Sequence, residues 1–242
     1  MLGDASVVAL VNRSTANAAM VGSAPLATYD DPTDAAVVDF LAANVFNGSG
    51  AHSFYKRVWG SGLAYSGYTW ASPRYGRYKV YTDRCADLPQ LLRFLGSEVA
   101  HAPADARFAD YSIARAFSSR GSDTFEARAR AIAADLADGF PPQRVRAFRG
   151  RLLGLRGRAG LVEAMHARLL PVYGAILPTL PAPSPAPRDS LVFAVGPEAV
   201  VSAFEREIQE SRGAGQHVLR LYPRDFWYPG EAALPFQGQT NR

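Results

Sequence analysis

An α+β fold is predicted by three features of the sequence. Strand-like stretches lie near both ends of the chain, a strand–turn–strand signature lies between them, and a long block of helical periodicity covers residues 88–176. Strands at both ends enclosing a hairpin and a helical block argue for one domain over residues 1–242, not two in series.

Each element has its own warrant. Residues 5–11 and 16–21 are apolar and partly β-branched, are separated by the polar Asn12-Arg13-Ser14-Thr15, and read as a pair of strands. From Asp34 the apolar positions Val37, Val38, Leu41 and Val45 recur at helical spacing until Asn47-Gly48-Ser49-Gly50 stops them. A shorter helix is predicted over residues 53–59. After Gly60-Ser61-Gly62 the texture turns aromatic, and residues 63–70 and 77–82, joined by Ser72-Pro73-Arg74-Tyr75-Gly76, have the composition of a hairpin. Helices are predicted over 88–99, 108–117, 125–137, 143–155 and 161–176. Asp123, with Glu126 three residues on, is the expected cap of the third. Gly139 and Pro141-Pro142 end it and start the fourth. Residues 178–187 contain five prolines and read as a stiff, extended connector crossing the surface inside the domain. A buried-type strand over 191–195, an amphipathic helix over 199–211 and a last strand over 218–222 complete the chain.

Composition excludes several classes of function. With 48% hydrophobic, 20% charged and 11% aromatic residues in 242, the chain has the make-up of a globular protein and not of a disordered, collagenous or coiled-coil one. Cys85 is the only cysteine, so neither an internal disulfide nor a multi-cysteine zinc site is available. No apolar run reaches the ~18–20 residues that cross a bilayer, so no membrane partner is expected. Residues 1–12 carry Asp4 and no basic start, which does not read as a signal peptide. The sequence assigns no compartment.

The net charge is +4, and of the 26 basic side chains only Lys56 and Lys79 are lysines. The densest basic run is Arg144, Arg146, Arg149, Arg151, Arg156 and Arg158. At ~100° per residue Val145, Phe148, Leu152 and Leu155 gather on one side of that helix and the arginines flank them on both. That is a core-facing helix with a solvated rim, and no nucleic-acid partner is expected.

Most catalytic motifs are missing. The histidines are His52, His101, His166 and His217, and neither H-E-x-x-H nor H-x-x-E-H occurs. Glu163 and His166 share a helix face, but two ligands do not make a zinc site. No phosphate-binding G-x-x-x-x-G-K-[ST] and no G-x-S-x-G elbow is present. Cys85 has no histidine near it in sequence to act as a base.

One segment is distinctive. In Tyr55-Lys56-Arg57-Val58-Trp59-Gly60-Ser61-Gly62-Leu63-Ala64-Tyr65-Ser66-Gly67-Tyr68 a helix ends on a glycine turn and a strand begins with Leu-Ala-Tyr. It resembles the pitrilysin/insulinase superfamily of zinc metallopeptidases, within it the presequence-protease-like branch, and there the C-terminal, non-zinc-binding homologous domain. Residues 34–53, 78–94 and 125–143 extend the resemblance over most of the chain. It implies a two-layer domain of the metallohydrolase/LuxS-like kind, an antiparallel sheet backed by helices. It implies a role too: a non-catalytic domain that pairs, in cis or in trans, with a zinc-bearing H-x-x-E-H half and helps to enclose and position a peptide substrate.

The resemblance places the family tyrosine, a substrate-positioning group, at Tyr65, and the family arginine at Trp59. Arg57 is two residues away, ~200° around a helix, and points to the other side. On its residue type alone Tyr65 is equally a strand aromatic, and Trp59 equally a core tryptophan or an interface ring. Phe226 and Trp227, in the aromatic run 221–228, are further interface candidates. The chain itself is expected to hold no metal and no cofactor, with zinc belonging to the partner. The alternative is a non-proteolytic scaffold that keeps the fold, which the tryptophan at the arginine position favours.

Overall fold

A computed structural model describes residues 7–31, 33–118, 124–183, 189–213 and 216–226. In chain order these form β1 (Val7–Val11), β2 (Ala18–Pro25), α1 (Asp34–Asn44), α2 (Phe54–Ser61), β3 (Ala64–Ser72) and β4 (Arg77–Cys85). Five helices follow: α3 (Leu88–Ala100), α4 (Ala106–Ser118), α5 (Phe125–Ala137), α6 (Pro142–Gly154) and α7 (Leu161–Gly174). The chain then makes β5 (Leu191–Gly196), α8 (Glu198–Arg212), β6 (Leu219–Leu221) and a short 3-10 turn over Pro223–Phe226.

The six strands lie in one sheet in the order β3-β4-β2-β5-β1-β6. Pairing is antiparallel from β3 through β5, and β1 runs parallel to both β5 and β6. The fold is therefore α+β with a mostly antiparallel sheet. The expected pairing of the first two strands is corrected: β1 and β2 do not touch, because β5 inserts between them. β1 is a short apolar run and β2 alternates buried with half-buried positions, both consistent with strands, but a partner arriving from residues 191–196 is invisible to local pattern.

One face of the sheet carries the core. Met20, Ala24, Tyr78, Val80, Val192, Ala194, Val7 and Ala9 share that face through the registers of the ladders and are buried. Helices α1 and α7 pack there; Phe46 stacks on Phe54 at 4.6 Å between ring centres, and Tyr173 meets both rings edge-on. The buried hydroxyls in this cluster are satisfied by carbonyls: Tyr173 donates to Ala43 O at 2.9 Å and Tyr78 donates to Val172 O. Burial raises the pKa of both phenols, so they stay protonated donors. On the opposite face Val21, Tyr68, Trp70, Lys79, Tyr81 and Phe193 are partly or largely exposed.

Two local expectations change. The cap of α5 is Thr124, whose hydroxyl accepts from Ala127 N at 3.2 Å. Asp123 lies outside the described residues. The connector does not begin as an extended surface strap either: Leu177 and Leu180 are buried, Leu180 N donates back to Leu177 O at 3.1 Å, and Arg212 of α8 donates to Gly174 O at 2.6 Å. Three apolar residues, Ile176, Leu177 and Leu180, draw this stretch inward although prolines surround it. Residues 184–188 of the predicted connector are outside the described set.

Candidate functional site

The segment singled out by sequence forms the outer edge of the sheet. Helix α2 starts at Ser53, fully buried, whose hydroxyl accepts from Lys56 N at 3.3 Å. Phe54 and Val58 anchor its inner side. Burying two such side chains contributes roughly 1.5–3 kcal/mol each. The helix stops at Gly62, in the left-handed region at φ 71°, which only glycine occupies without strain, and the chain reverses into β3. Val58 then lies against Gly67 of β3, where a Cβ would come within 3.0 Å of a Val58 methyl. This close approach seats α2 directly on the edge strand.

The candidate residues separate along that geometry. Trp59, at the end of α2, is 60% exposed, and the Lys56 ammonium lies 5.9 Å from its ring centre. Tyr65, near the start of β3, is also 60% exposed, with the Arg84 guanidinium 4.6 Å over its ring. Arg84 has φ 51°, so the end of β4 is twisted to bring that guanidinium across. Arg57 turns the other way, toward α3, and its Nε donates to Glu98 at 2.6 Å. Trp59 and Tyr65 therefore flank one glycine turn on a solvent-facing edge, while Arg57 is tied to a carboxylate on α3. Phe226 ends the 3-10 turn that follows β6, at the opposite edge of the sheet from β3; Trp227 is outside the described residues.

The aromatic edge is wider than these residues. Tyr55, Tyr68, Trp70 and Tyr75 are exposed, Tyr68 lies 5.0 Å from Tyr81, and the Lys79 ammonium lies 5.4 Å over Trp70. A signal for this was present in the sequence, namely the distribution of charge and not its total. Residues 54–85 hold six basic side chains, both lysines among them, against one acid, Asp83. The remainder of the chain has 20 basic and 21 acidic residues, so the excess positive charge belongs to this segment alone.

Among the described residues the histidines and the cysteine do not gather into a metal site. His101 Nδ1 contacts Ser97 O at 2.9 Å and His166 Nε2 contacts Ala102 O at 2.9 Å, both structural contacts. His52 packs between Phe108 and Tyr111, and burial lowers its pKa below the ordinary imidazole value. Among the described residues no three His, Cys, Asp or Glu side chains converge. Cys85 is fully buried, and burial pushes its thiol up to about 11, which removes the thiolate that a nucleophile needs.

A scan of the sequence against protein-family models finds no match, and neither does a search among curated proteins. Solved structures do match in fold. An M16 peptidase inactive domain from Pseudomonas fluorescens superposes with a TM-score of 0.52 at 16% identity, over 80% of this chain and 43% of its own. A protease from Helicobacter pylori gives 0.54 at 10% identity, over 80% of this chain and 44% of its own. An inactive peptidase domain from Bordetella parapertussis gives 0.50 at 15%, over 76% of this chain and 92% of its own. The chain thus has the fold of M16-type peptidase domains. It spans under half the length of two of these three structures and nearly all of the third.

Proposed function

We propose that this chain is a non-catalytic unit of an insulinase-type (M16) peptidase, one homologous domain that pairs in cis or in trans with a zinc-bearing half carrying H-x-x-E-H and closes with it around a peptide. The observation that carries this reading is the pairing of an M16-type fold with a sequence that has no zinc motif and, among the described residues, no converging donor set. In this reading Tyr65 faces the peptide. Its ring lies on a solvent-facing strand edge with the Arg84 guanidinium over the ring face, and from there its hydroxyl can donate to a carbonyl that gains negative charge. The metal and the water it activates belong to the other half.

The test is reconstitution. The purified chain, loaded with zinc, should hydrolyse no peptide, and activity should arise only on mixing with an H-x-x-E-H half encoded beside or upstream of it. Peptide hydrolysis by this chain alone, with stoichiometric zinc, would overturn the reading. In the active mixture Tyr65→Phe should lower kcat by about 100–1,000-fold with little change in KM, as loss of one donor to a developing oxyanion does.

A scaffold reading is favoured by one observation: the exposed Trp59 occupies the position given to the arginine by the resemblance. A large ring exposed beside a glycine turn suits a protein interface. Unchanged turnover in Tyr65→Phe together with loss of complex formation in Trp59→Ala would select it.

A further inference from the structure

Helix α5 is oriented against its own hydrophobicity. Phe125, Ile132 and Leu136 are exposed, whereas the positions turned inward, Ala127, Ala131, Ala134 and Asp135, are three alanines and a carboxylate. Asp135 is 2% exposed and is the one buried residue of the helix. A helix on a protein surface ordinarily buries its apolar stripe, and aspartate is among the residues least often buried. Something other than apolar burial therefore sets which face of α5 points inward.

The small inward side chains leave a cavity of about 300 Å³ between α5 and the tip of the β3–β4 hairpin. Buried rings form its deep wall, where Phe148 meets Tyr29 and Phe40 edge-on with centres 5.5 and 5.6 Å apart. Trp70 and Tyr75, both exposed, stand at its mouth with ring centres 5.7 Å apart. Its charged groups are Asp135, Arg74 and Arg149. The rim is held from two sides. Arg74 donates to Asp138 and, at 3.3 Å, to Ala134 O, tying the hairpin tip to α5, and Leu26 N donates to Gly76 O at 2.8 Å, tying it to the end of β2. A cavity of this volume, walled by rings with a few placed polar groups and formed in advance, has the make-up of a small-molecule site.

The signs of the charges narrow the ligand. A cation entering the cavity meets Arg74 and Arg149, and an anion meets the buried Asp135. The groups share one field: Asp138 chiefly, and Asp135 with it, raise the pKa of the Arg74 guanidinium. A neutral ring with donors on one part of its edge and an acceptor beside them opposes neither sign. We propose that this cavity binds a neutral, planar heteroaromatic ring of the guanine type, with Asp135 accepting from its adjacent N–H groups, Arg149 donating to its carbonyl, and Trp70 and Tyr75 stacking on it at the mouth. A carboxylate accepts at about four sites, so Asp135 can serve the ligand as well as the protein. Base–aromatic stacking and a buried acceptor supply affinity and selectivity respectively. A zwitterionic amino acid matches the signs but has to shed the water of two full charges to enter. The cavity lies at the opposite end of β3 from Tyr65, so the inference does not rest on the proposed pairing with a zinc half.

Isothermal titration calorimetry of the full chain with guanosine tests it. Guanosine should bind at one site per chain. Adenosine, which lacks the paired N–H groups and the carbonyl, should bind about tenfold or more weaker, and so should 1-methylguanosine, which puts a methyl group where a donor faces Asp135. Trp70→Ala, at the exposed mouth, should lose about tenfold in affinity with its thermal midpoint unchanged. Asp135→Asn should bring guanosine and adenosine to within about threefold of each other. Should that buried variant fail to fold, the comparison of guanosine with 1-methylguanosine on the natural chain decides the same point from the ligand's side. No heat of binding with millimolar guanosine, or equal binding of guanosine, adenosine and 1-methylguanosine, would overturn the proposal. So would tighter binding of choline, benzoate or phenylalanine, which stand for the cationic, anionic and zwitterionic alternatives. Because no zinc half is present, each of these results is independent of reconstitution.

Discussion

His52 shows how a single side chain can matter without being catalytic. Its Nε2 is buried without a hydrogen-bond partner, its ring lies 4.4 Å from Tyr111 and 4.9 Å from Phe108, and burial is the main cause of its lowered pKa, with Arg57 adding repulsion. The folded protein therefore takes up the imidazole proton at lower pH than the unfolded chain does. Stability from the neutral ring is complete above the unfolded value, ~6.5, and is lost as pH falls from there toward the folded value. Chemical-denaturation midpoints should fall between pH 7.5 and 5.5 in the natural chain and fall less in His52→Gln; identical pH slopes would remove His52 from the account. Asp105 and Asp138, held below the usual carboxylate range by Arg107 and Arg74, titrate well below this window and do not confuse it.

At the scale of elements, the contact between α2 and β3 organises the candidate site. Gly67 leaves room for Val58, so the helix sits directly on the edge strand, and Gly62 makes the tight reversal that sets Trp59 and Tyr65 on either side of one turn. Gly67→Ala places a methyl about 3.0 Å from the Val58 side chain. Overpacking of this kind costs roughly 1–3 kcal/mol. The cost should shrink below about 0.5 kcal/mol in a Val58→Ala background if the two residues are coupled through this one contact. Urea denaturation of the four members of the cycle measures it, and additive effects would place the strain elsewhere. The helix, the glycine turn and the strand were all legible in sequence, because each leaves a local signature. The cation over Tyr65 was not, since Arg84 reaches it only through the antiparallel register of β3 with β4 and a left-handed backbone at its own position.

For the whole molecule, the decisive feature is that β5 lies between β1 and β2. The sheet is closed by a strand that follows all of the central helices, so the N-terminal strands cannot complete their ladders until residues 191–196 arrive. A chain ending at residue 183 should therefore lack cooperative unfolding and near-ultraviolet circular dichroism, and should aggregate through the exposed edges of β1 and β2. A truncated chain that unfolds cooperatively would show that the helical block carries the fold without the sheet centre. Burial of Leu177 and Leu180 and the bonds from Arg212 to Gly174 and Pro178 tie the start of the proline-rich stretch to α8, which makes the return of the chain part of the packed structure.

What the sequence determined by itself was everything that depends on near neighbours: an α+β class, the helical block, the hairpin, the glycine turn, the absence of a zinc motif and the excess of positive charge in residues 54–85. Periodicity, capping and turn chemistry act over a few residues, so they can be read without a structure. Only the tertiary structure decided which strands pair, that the first two are separated by the fifth, and that rings and lysines from α2, β3 and β4 assemble along one free edge. Those relations are set by burial of the sheet's inner face against α1 and α7 and by ladders between residues more than a hundred positions apart, and no local pattern encodes a partner at that distance.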